Sequence, residues 1–332
     1  MTPIIVGLSG SQVTPDERAA LQRVAPAGFI LFARNIVDPV QLRALTDDLR
    51  DASGRDDLPI LTDQEGGAVA RLRPPHWPAT LAAARFAAAY DRAPMTAIRA
   101  MRAQGQAVGR MLAAGGITMN AAPVLDLAWP GATPALAQRC LGATPMAVAA
   151  LGRAMLEGLA AGGVTGIVKH WPGHGRATSD PHQALPVVDA DEGALAADLS
   201  PFHTLAGSAK AGMTAHVLYP VWDIARPATL SPLIVQRVIR ERLGFDGLLL
   251  SDDLHMGALD GNLPARAQGA VAAGCDLALC CAATPEQWTM LAERLPPVGS
   301  ATMRRLAAAM PPAGQGEVAA LIAERDALLA AA

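Results

Sequence analysis

Lysine is nearly missing from this chain of 332 residues: Lys169 and Lys210 are the only two, and arginine carries the other positive charge. That scarcity singles out both as candidates for a buried or functional role. Neither sign of charge is in excess, with 27 basic against 30 acidic side chains and a formal net charge of -3. A nucleic-acid binder would show a basic surplus or stripe, so that class is set aside. Charged residues make up only 17% and hydrophobic ones 51%, which excludes disorder and supports a large buried core. No uncharged apolar run approaches the roughly 18 residues of a membrane span. The opening MTPIIVGLSG has neither the basic nor the apolar region of a signal peptide. The expectation is a soluble, cytoplasmic protein with no membrane partner.

Several motifs are absent too. There is no GxGxxG after the first apolar run, no GxxxxGK[ST] loop, no GxSxG elbow and no HExxH. Their absence argues against a dinucleotide-binding sheet, a phosphate cradle, a serine hydrolase and a zinc protease. Cys140, Cys275, Cys280 and Cys281 show no framework spacing, and three of them sit in one apolar stretch, CDLALCC. They read as buried reduced thiols rather than a metal or redox site.

What is present is alternation. Short apolar runs, PIIVGL, GFILFA, PILTD, ITMNAAPVLD, TGIVKH, AGMTAHVLY, GLLLSDD and CDLALCC, are separated by longer helical patterns. The runs are continuous rather than alternating, as parallel strands covered on both faces require. PVQLRALTDDLRDA has the i, i+3, i+4 apolar spacing of a helix, and SPLIVQRVIRERLG carries a Ser cap, an early Pro and a closing Gly. Eight βα units predict a (β/α)8 TIM-type barrel, and about 250 residues plus insertions fits the length. A doubly wound sheet is the alternative fold. No linker divides the chain, so residues 1–332 read as a single barrel domain with a C-terminal helical tail that PPAGQG interrupts. RPPHWPAT and LAWPGATPALAQ each follow a strand and read as long βα loops.

The strands end on polar residues. Asp63 closes PILTD, Asp126 closes APVLD, Lys169 and His170 close GIVKH, His216 follows MTA, and Asp252 and Asp253 close LLLSDD. A lone carboxylate after a strand is usually a cap or turn residue. Five strands ending this way predict an active site at the C-terminal face, where barrel enzymes have it. The following loop, KHWPGHGRATSDPHQALPVV, holds three histidines, Lys169 and Asp180 within fourteen residues. Asp180 and His182 are two apart, so the carboxylate can orient the imidazole for acid/base work. A metal site or a purely structural loop are the competing readings. Asp252, a carboxylate among cations, can serve as a nucleophile, while Asp253 suits a helix N-cap better.

These residues resemble glycoside hydrolase family 3, and within it the single-barrel bacterial β-N-acetylhexosaminidases. TDQEGGAVARL, from Thr62 to Leu72, resembles a DQEGG-x-V-x-R stretch. KHWPGHGRATSDPH, from Lys169 to His182, resembles KHFPGHG-x4-DSH, and VIRERLGFDGLLLSD resembles the run into the family's nucleophilic aspartate. The matches span about residues 5 to 282 in the family's order. Two departures stand out: Pro181 replaces the Ser between the dyad members, and Q-R-C-L-G replaces D-R-S-F-G around Arg139.

The resemblance implies specific roles. Asp252 would form the covalent glycosyl-enzyme, and His182, polarised by Asp180, would be the general acid/base. Asp63, Arg71, Arg139, Lys169 and His170 would hold an N-acetylglucosamine. The implied enzyme is a retaining exo-β-N-acetylglucosaminidase acting on muropeptide fragments in cell-wall recycling, without metal or cofactor. A glycoside phosphorylase is a second reading, because a histidine acid/base does not repel phosphate. A catalytically silent sugar-binding barrel is a third.

Overall fold

The computed structural model describes residues 1–131 and 134–332; of the loop LAWPGATPALAQ, residues 132 and 133 lie outside the described residues. Eight parallel strands close on themselves in chain order, each bonded to the next and the last to the first. They are β1 Thr2–Gly7, β2 Pro26–Leu31, β3 Ile60–Thr62, β4 Met119–Asn120, β5 Thr165–Trp171, β6 Ala211–Thr214, β7 Leu248–Asp253 and β8 Leu277–Cys280. Helices fill the connections. The fold is a (β/α)8 barrel.

Burial on both faces explains the continuous apolar runs. One residue of each pair points out to the helices, as Ile4, Phe29, Ile60, Val168 and Leu249 do. The next points in: Ile5, Ile30, Leu61, Met119, Ile167, Met213, Leu250 and Leu279, one from each strand, pack together inside the barrel. A step of two residues returns to the same face of a strand. From the inward layer that step leads from Leu61 to Asp63, from Ile167 to Lys169 and from Leu250 to Asp252. All three line the cavity at the C-terminal end of the barrel. The pleat that builds the apolar floor also aims the polar groups above it.

One strand is shorter than its apolar run suggests. ITMNAAPVLD is regular only at Met119–Asn120. Pro123 has no N–H to give the ladder, so the chain leaves it there. It rejoins β5 further on, where Lys169 donates to the Pro123 carbonyl at 3.1 Å and Leu125 donates to Lys169 at 2.7 Å.

The helices start where the sequence marks them. Asp38 caps Pro39–Ser53 by accepting from Gln41 N–H at 2.8 Å, and Ser231 accepts from Ile234 N–H at 3.2 Å ahead of the helix Ile234–Arg242. The tail forms two helices on either side of PPAGQG. Ser300–Ala309 places Leu306 and Ala309 in the barrel-interior cluster, and Thr165 donates to the Ala309 carbonyl at 2.7 Å, so this helix closes the N-terminal mouth. Val318–Ala331 packs on the helix Pro94–Ala114, with buried Arg325 bonded to Gln104 at 3.2 Å. Among the described residues no helix is long and apolar enough to cross a membrane.

Candidate active site

The loop after β3 is built to present two carboxylates. Gln64 is fully buried and faces away from the cavity. Its backbone N–H donates to Asn120 at 2.8 Å, and its side-chain oxygen accepts from Arg71 and Leu72 N–H at 2.6 and 3.0 Å. Glu65 and Gly66 both donate to the Val69 carbonyl at 3.0 Å, which turns the chain back. A Cβ on Gly66 would lie 2.1 Å from the Leu81 carbonyl oxygen, so glycine is required there. With Gln64 turned into the scaffold, its neighbours Asp63 and Glu65 face the cavity.

Around them is a network of buried charge. Lys169 Nζ lies 2.7 Å from Glu65 Oε1 and 3.1 Å from Asp63 Oδ1. Arg139 holds Glu65 through two bonds of 2.8 Å, and Arg71 reaches Asp63 at 3.1 Å. Burial opposes the charge on Glu65, but Lys169 and Arg139 override it and hold its pKa at about 2. Burial likewise opposes charge on Asp63, and Lys169 and Arg71 keep its pKa below the ordinary value. Lys169, despite burial, is pushed up by both carboxylates. Two of the three ammonium N–H groups are engaged, which leaves a third for a ligand.

The next wall is His170 and its partner. Asp126, closed off from solvent, lies 2.7 Å from His170 Nδ1 and accepts from His174 N–H at 2.6 Å. Burial raises the Asp126 pKa, yet the two histidines bring it below the ordinary value. An ionised Asp126 accepts a hydrogen bond from Nδ1–H and leaves Nε2 of His170 for the cavity. His174 is buried beside it, with no partner for either ring nitrogen among the described residues.

Asp252 and Asp253 end β7 with different surroundings. Asp253 Oδ1 accepts from His255 N–H at 3.2 Å, His255 Nδ1 at 3.1 Å and Cys281 N–H at 3.1 Å. Among the described residues, Asp252 accepts only from Asp253 N–H, at 2.8 Å. Asp253 is therefore a turn residue tying β7 to β8, not the helix cap expected from the sequence. The following helix starts later, at Leu263, and Asn262 caps it. His216, unlike Asp253, is not part of the cavity wall. It is buried beneath β7, with Nε2 donating to the Asp253 carbonyl at 3.0 Å and Nδ1 2.7 Å from Thr229. Burial lowers its pKa, so it stays a neutral prop.

The dyad comes from the loop after β5. Asp180 Oδ1 lies 2.8 Å from His182 Nδ1 and also accepts from His182 N–H at 3.0 Å. That backbone bond, then the ring contact, lowers the Asp180 pKa. The side chains are 41% and 72% exposed, and a pair so open contributes little to stability. Its value is orientation: Nδ1 is engaged and Nε2 is free. One cavity of about 330 Å³ is lined by Asp63, Arg71, Arg139, Lys169, His170, Asp180, His182 and Asp252 together.

Residues 6–310 match the glycosyl hydrolase family 3 N-terminal domain. The chain belongs to glycosyl hydrolase family 3. It is 41% identical over 283 residues to the beta-hexosaminidase of Alkalilimnicola ehrlichii, covering 84% of this chain and 80% of that one. Identity to the beta-hexosaminidase of Bordetella avium is 38% over 285 residues, with the same two coverages, 84% and 80%. Among solved structures, NagZ of Neisseria gonorrhoeae in complex with N-trifluoroacetyl-D-glucosamine superposes with a TM-score of 0.89 at 31% identity. It covers 99% of this chain and 97% of that one.

Within this family 3 barrel, the geometry gives two groups roles that the sequence does not show. Glu65 was visible in DQEGG, two residues past Asp63 and so on the same side, but nothing marked it as the partner of Arg139 and Lys169. Asp126 was noted as a strand end, yet its hold on His170 depends on residues 44 apart in the chain.

Proposed function

We propose that this family 3 hydrolase is a retaining exo-β-N-acetylglucosaminidase that removes terminal N-acetylglucosamine from muropeptide fragments. The observation that carries the reading is that a lightly bonded carboxylate, Asp252, and a carboxylate-held imidazole, His182, border the same small polar cavity. A cavity of about 330 Å³ is at the small end for ligands, which suits one sugar ring and an exo mode. The relatives' beta-hexosaminidase names and the N-acylglucosamine in the gonococcal complex support the sugar.

The steps follow from the residues. A sugar hydroxyl donates to Asp63, and the free N–H groups of Lys169, Arg71 and Arg139 donate to other oxygens of the sugar. Asp252 attacks the anomeric carbon while protonated His182 gives its Nε2 proton to the departing aglycone oxygen. The neutral imidazole then takes a proton from water, whose oxygen displaces Asp252 from the sugar. Asp180 stays ionised throughout and holds the ring in one orientation. No metal or cofactor enters these steps. We place this chemistry in the cytoplasm and in one domain spanning residues 1–332.

The test is turnover of an aryl N-acetylglucosaminide, the matching glucoside and N-acetylglucosaminyl-anhydro-N-acetylmuramic acid, each with and without phosphate. Free N-acetylglucosamine with retained configuration supports the reading. Sugar 1-phosphate would make the enzyme a phosphorylase, and no turnover would leave a sugar-binding barrel.

A further inference from the structure

The loop that carries the dyad is fastened in two different ways. At its base, side chains do the work. Tyr219 donates its hydroxyl proton to the Gly173 carbonyl, and Arg176 bonds Asp198 at 2.6 Å while lying 3.8 Å over the Trp129 ring. A Cβ on Gly175 would lie 2.3 Å from the Leu127 carbonyl oxygen, so the base sits flush against the segment after β4. On the far side, Leu218 donates to Pro186 and Val188 donates to Leu218, both at 2.9 Å.

Between these anchors, two backbone bonds alone join the tip to the rest of the protein, among the described residues. Ala258 N–H donates to the Pro181 carbonyl at 3.0 Å, and Gly257 N–H donates to the His182 carbonyl at 3.3 Å. Gly257 and Ala258 belong to the segment directly after β7, the strand that ends in Asp252. That segment is itself braced: Arg266 bonds the Leu254 carbonyl at 2.7 Å and the Met256 carbonyl at 3.1 Å. The contact is close enough to require glycine. A Cβ on Gly257 would meet the His182 carbonyl oxygen at 2.7 Å and that of Gln183 at 3.1 Å, both backbone atoms. Gly257 is not among the glycines with positive φ, so the clash, not backbone strain, is what alanine would bring.

We propose that Gly257 is a positioning residue: its amide and its missing side chain seat the dyad loop on the nucleophile's own segment and so fix His182 relative to Asp252. The inference rests on the catalytic reading of those two residues. It also accounts for Pro181. The ring removes an N–H, but the latch uses the Pro181 carbonyl, so nothing is lost in the seated state. A fixed φ restricts the other shapes the tip can take.

Gly257→Ala tests this against His182→Ala. Displacing an acid/base group by about 1 Å can cost a hundredfold, so Gly257→Ala should lower kcat/KM on a disaccharide by about ten- to a hundredfold. Glycosyl-enzyme formation from a dinitrophenyl glycoside, which needs no proton donor, should stay within about twofold of wild type. Equal losses on both substrates, or no loss, would overturn the proposal. If His182→Ala itself shows no dependence on the leaving group, the catalytic reading fails and the inference falls with it. If His182→Ala shows that dependence and Gly257→Ala does not, only the inference fails. A measurement on the wild type needs no variant: the Ala258 amide should exchange its hydrogen slowly. Exchange at the rate of an unstructured peptide would sink the latch.

Discussion

Arg139 grips Glu65 through two hydrogen bonds, each 2.8 Å long, and neither residue lies on a barrel strand. Glu65 is buried within the fork, and Lys169, also buried, completes the group from β5. Three chain segments are thus tied together by one carboxylate that does not need to touch the reacting bond.

Glu65→Gln should therefore damage the pocket and the fold together. Breaking a buried ion pair by removing one partner costs about 3 to 5 kcal/mol, and here Arg139 loses its carboxylate partner and Lys169 one of its two. The pH dependence has a definite sign. The folded-state pKa is depressed to about 2, so the stabilisation is full above the ordinary carboxylate pKa and fades as pH falls towards 2. Urea melts of wild type and variant should differ most above about pH 4.5 and converge in strong acid. A constant difference down to pH 2 would mean that ionised Glu65 is not what stabilises the site.

Much of this pocket was legible because the pleat of a strand is legible. Asp63, Lys169 and Asp252 each stand two residues beyond an inward apolar residue, and the apolar run marks the strand. Arg139 rests on no such rule: it lies in a long connection, and only the family resemblance brought it forward. Asp253 misled the reading because a second carboxylate at a strand end looks like a helix cap. Here the helix starts later, and the carboxylate serves the neighbouring strand instead. The Gly257 latch consists of backbone bonds, which carry no side-chain signature except the glycine itself.

Asp252→Asn should remove turnover while leaving the melting temperature nearly unchanged, because shape is conserved. Losing a member of the covalent machinery costs about four orders of magnitude in kcat or more. A slow fluorinated glycoside should label Asp252. The three donors on one oxygen of Asp253 make it the poorer nucleophile. An adduct mapped to Asp253 would reverse the assignment.

Lys169→Ala should act on binding in the ground and transition states alike. A hydrogen bond to a charged group is worth about 1.5 to 3 kcal/mol, or roughly ten- to a hundredfold in kcat/KM. The loss should be similar for aryl and disaccharide substrates, since Lys169 faces the sugar and not the leaving group. Unchanged kcat/KM would show that the third ammonium N–H has no ligand, and Lys169 would be left with a purely structural role.

The proton donor is the point at which two histidines compete. His182 has its Nδ1 fixed by Asp180 and its side chain open to the cavity mouth. His174 is buried with both nitrogens unpartnered among the described residues, and burial lowers its pKa despite nearby Asp126. A ring held neutral is a poor acid, so His174 is expected to contact the substrate rather than protonate it. The two roles leave different kinetic traces. A nitrophenolate departs with little help, whereas a sugar alkoxide needs its proton. His182→Ala should therefore slow disaccharide cleavage far more than release of an activated phenol, with the penalty growing with leaving-group pKa. Deglycosylation should also slow, because no base remains to activate water, and a burst of phenol should precede the steady state. Asp180→Ala should give a milder form of the same behaviour, since the imidazole remains but loses its orientation. His174→Ala should lower kcat/KM by a similar factor for every leaving group and show no burst. If the burst and the leaving-group dependence belong to His174→Ala instead, the buried histidine is the acid, and the exposed dyad only closes the cavity.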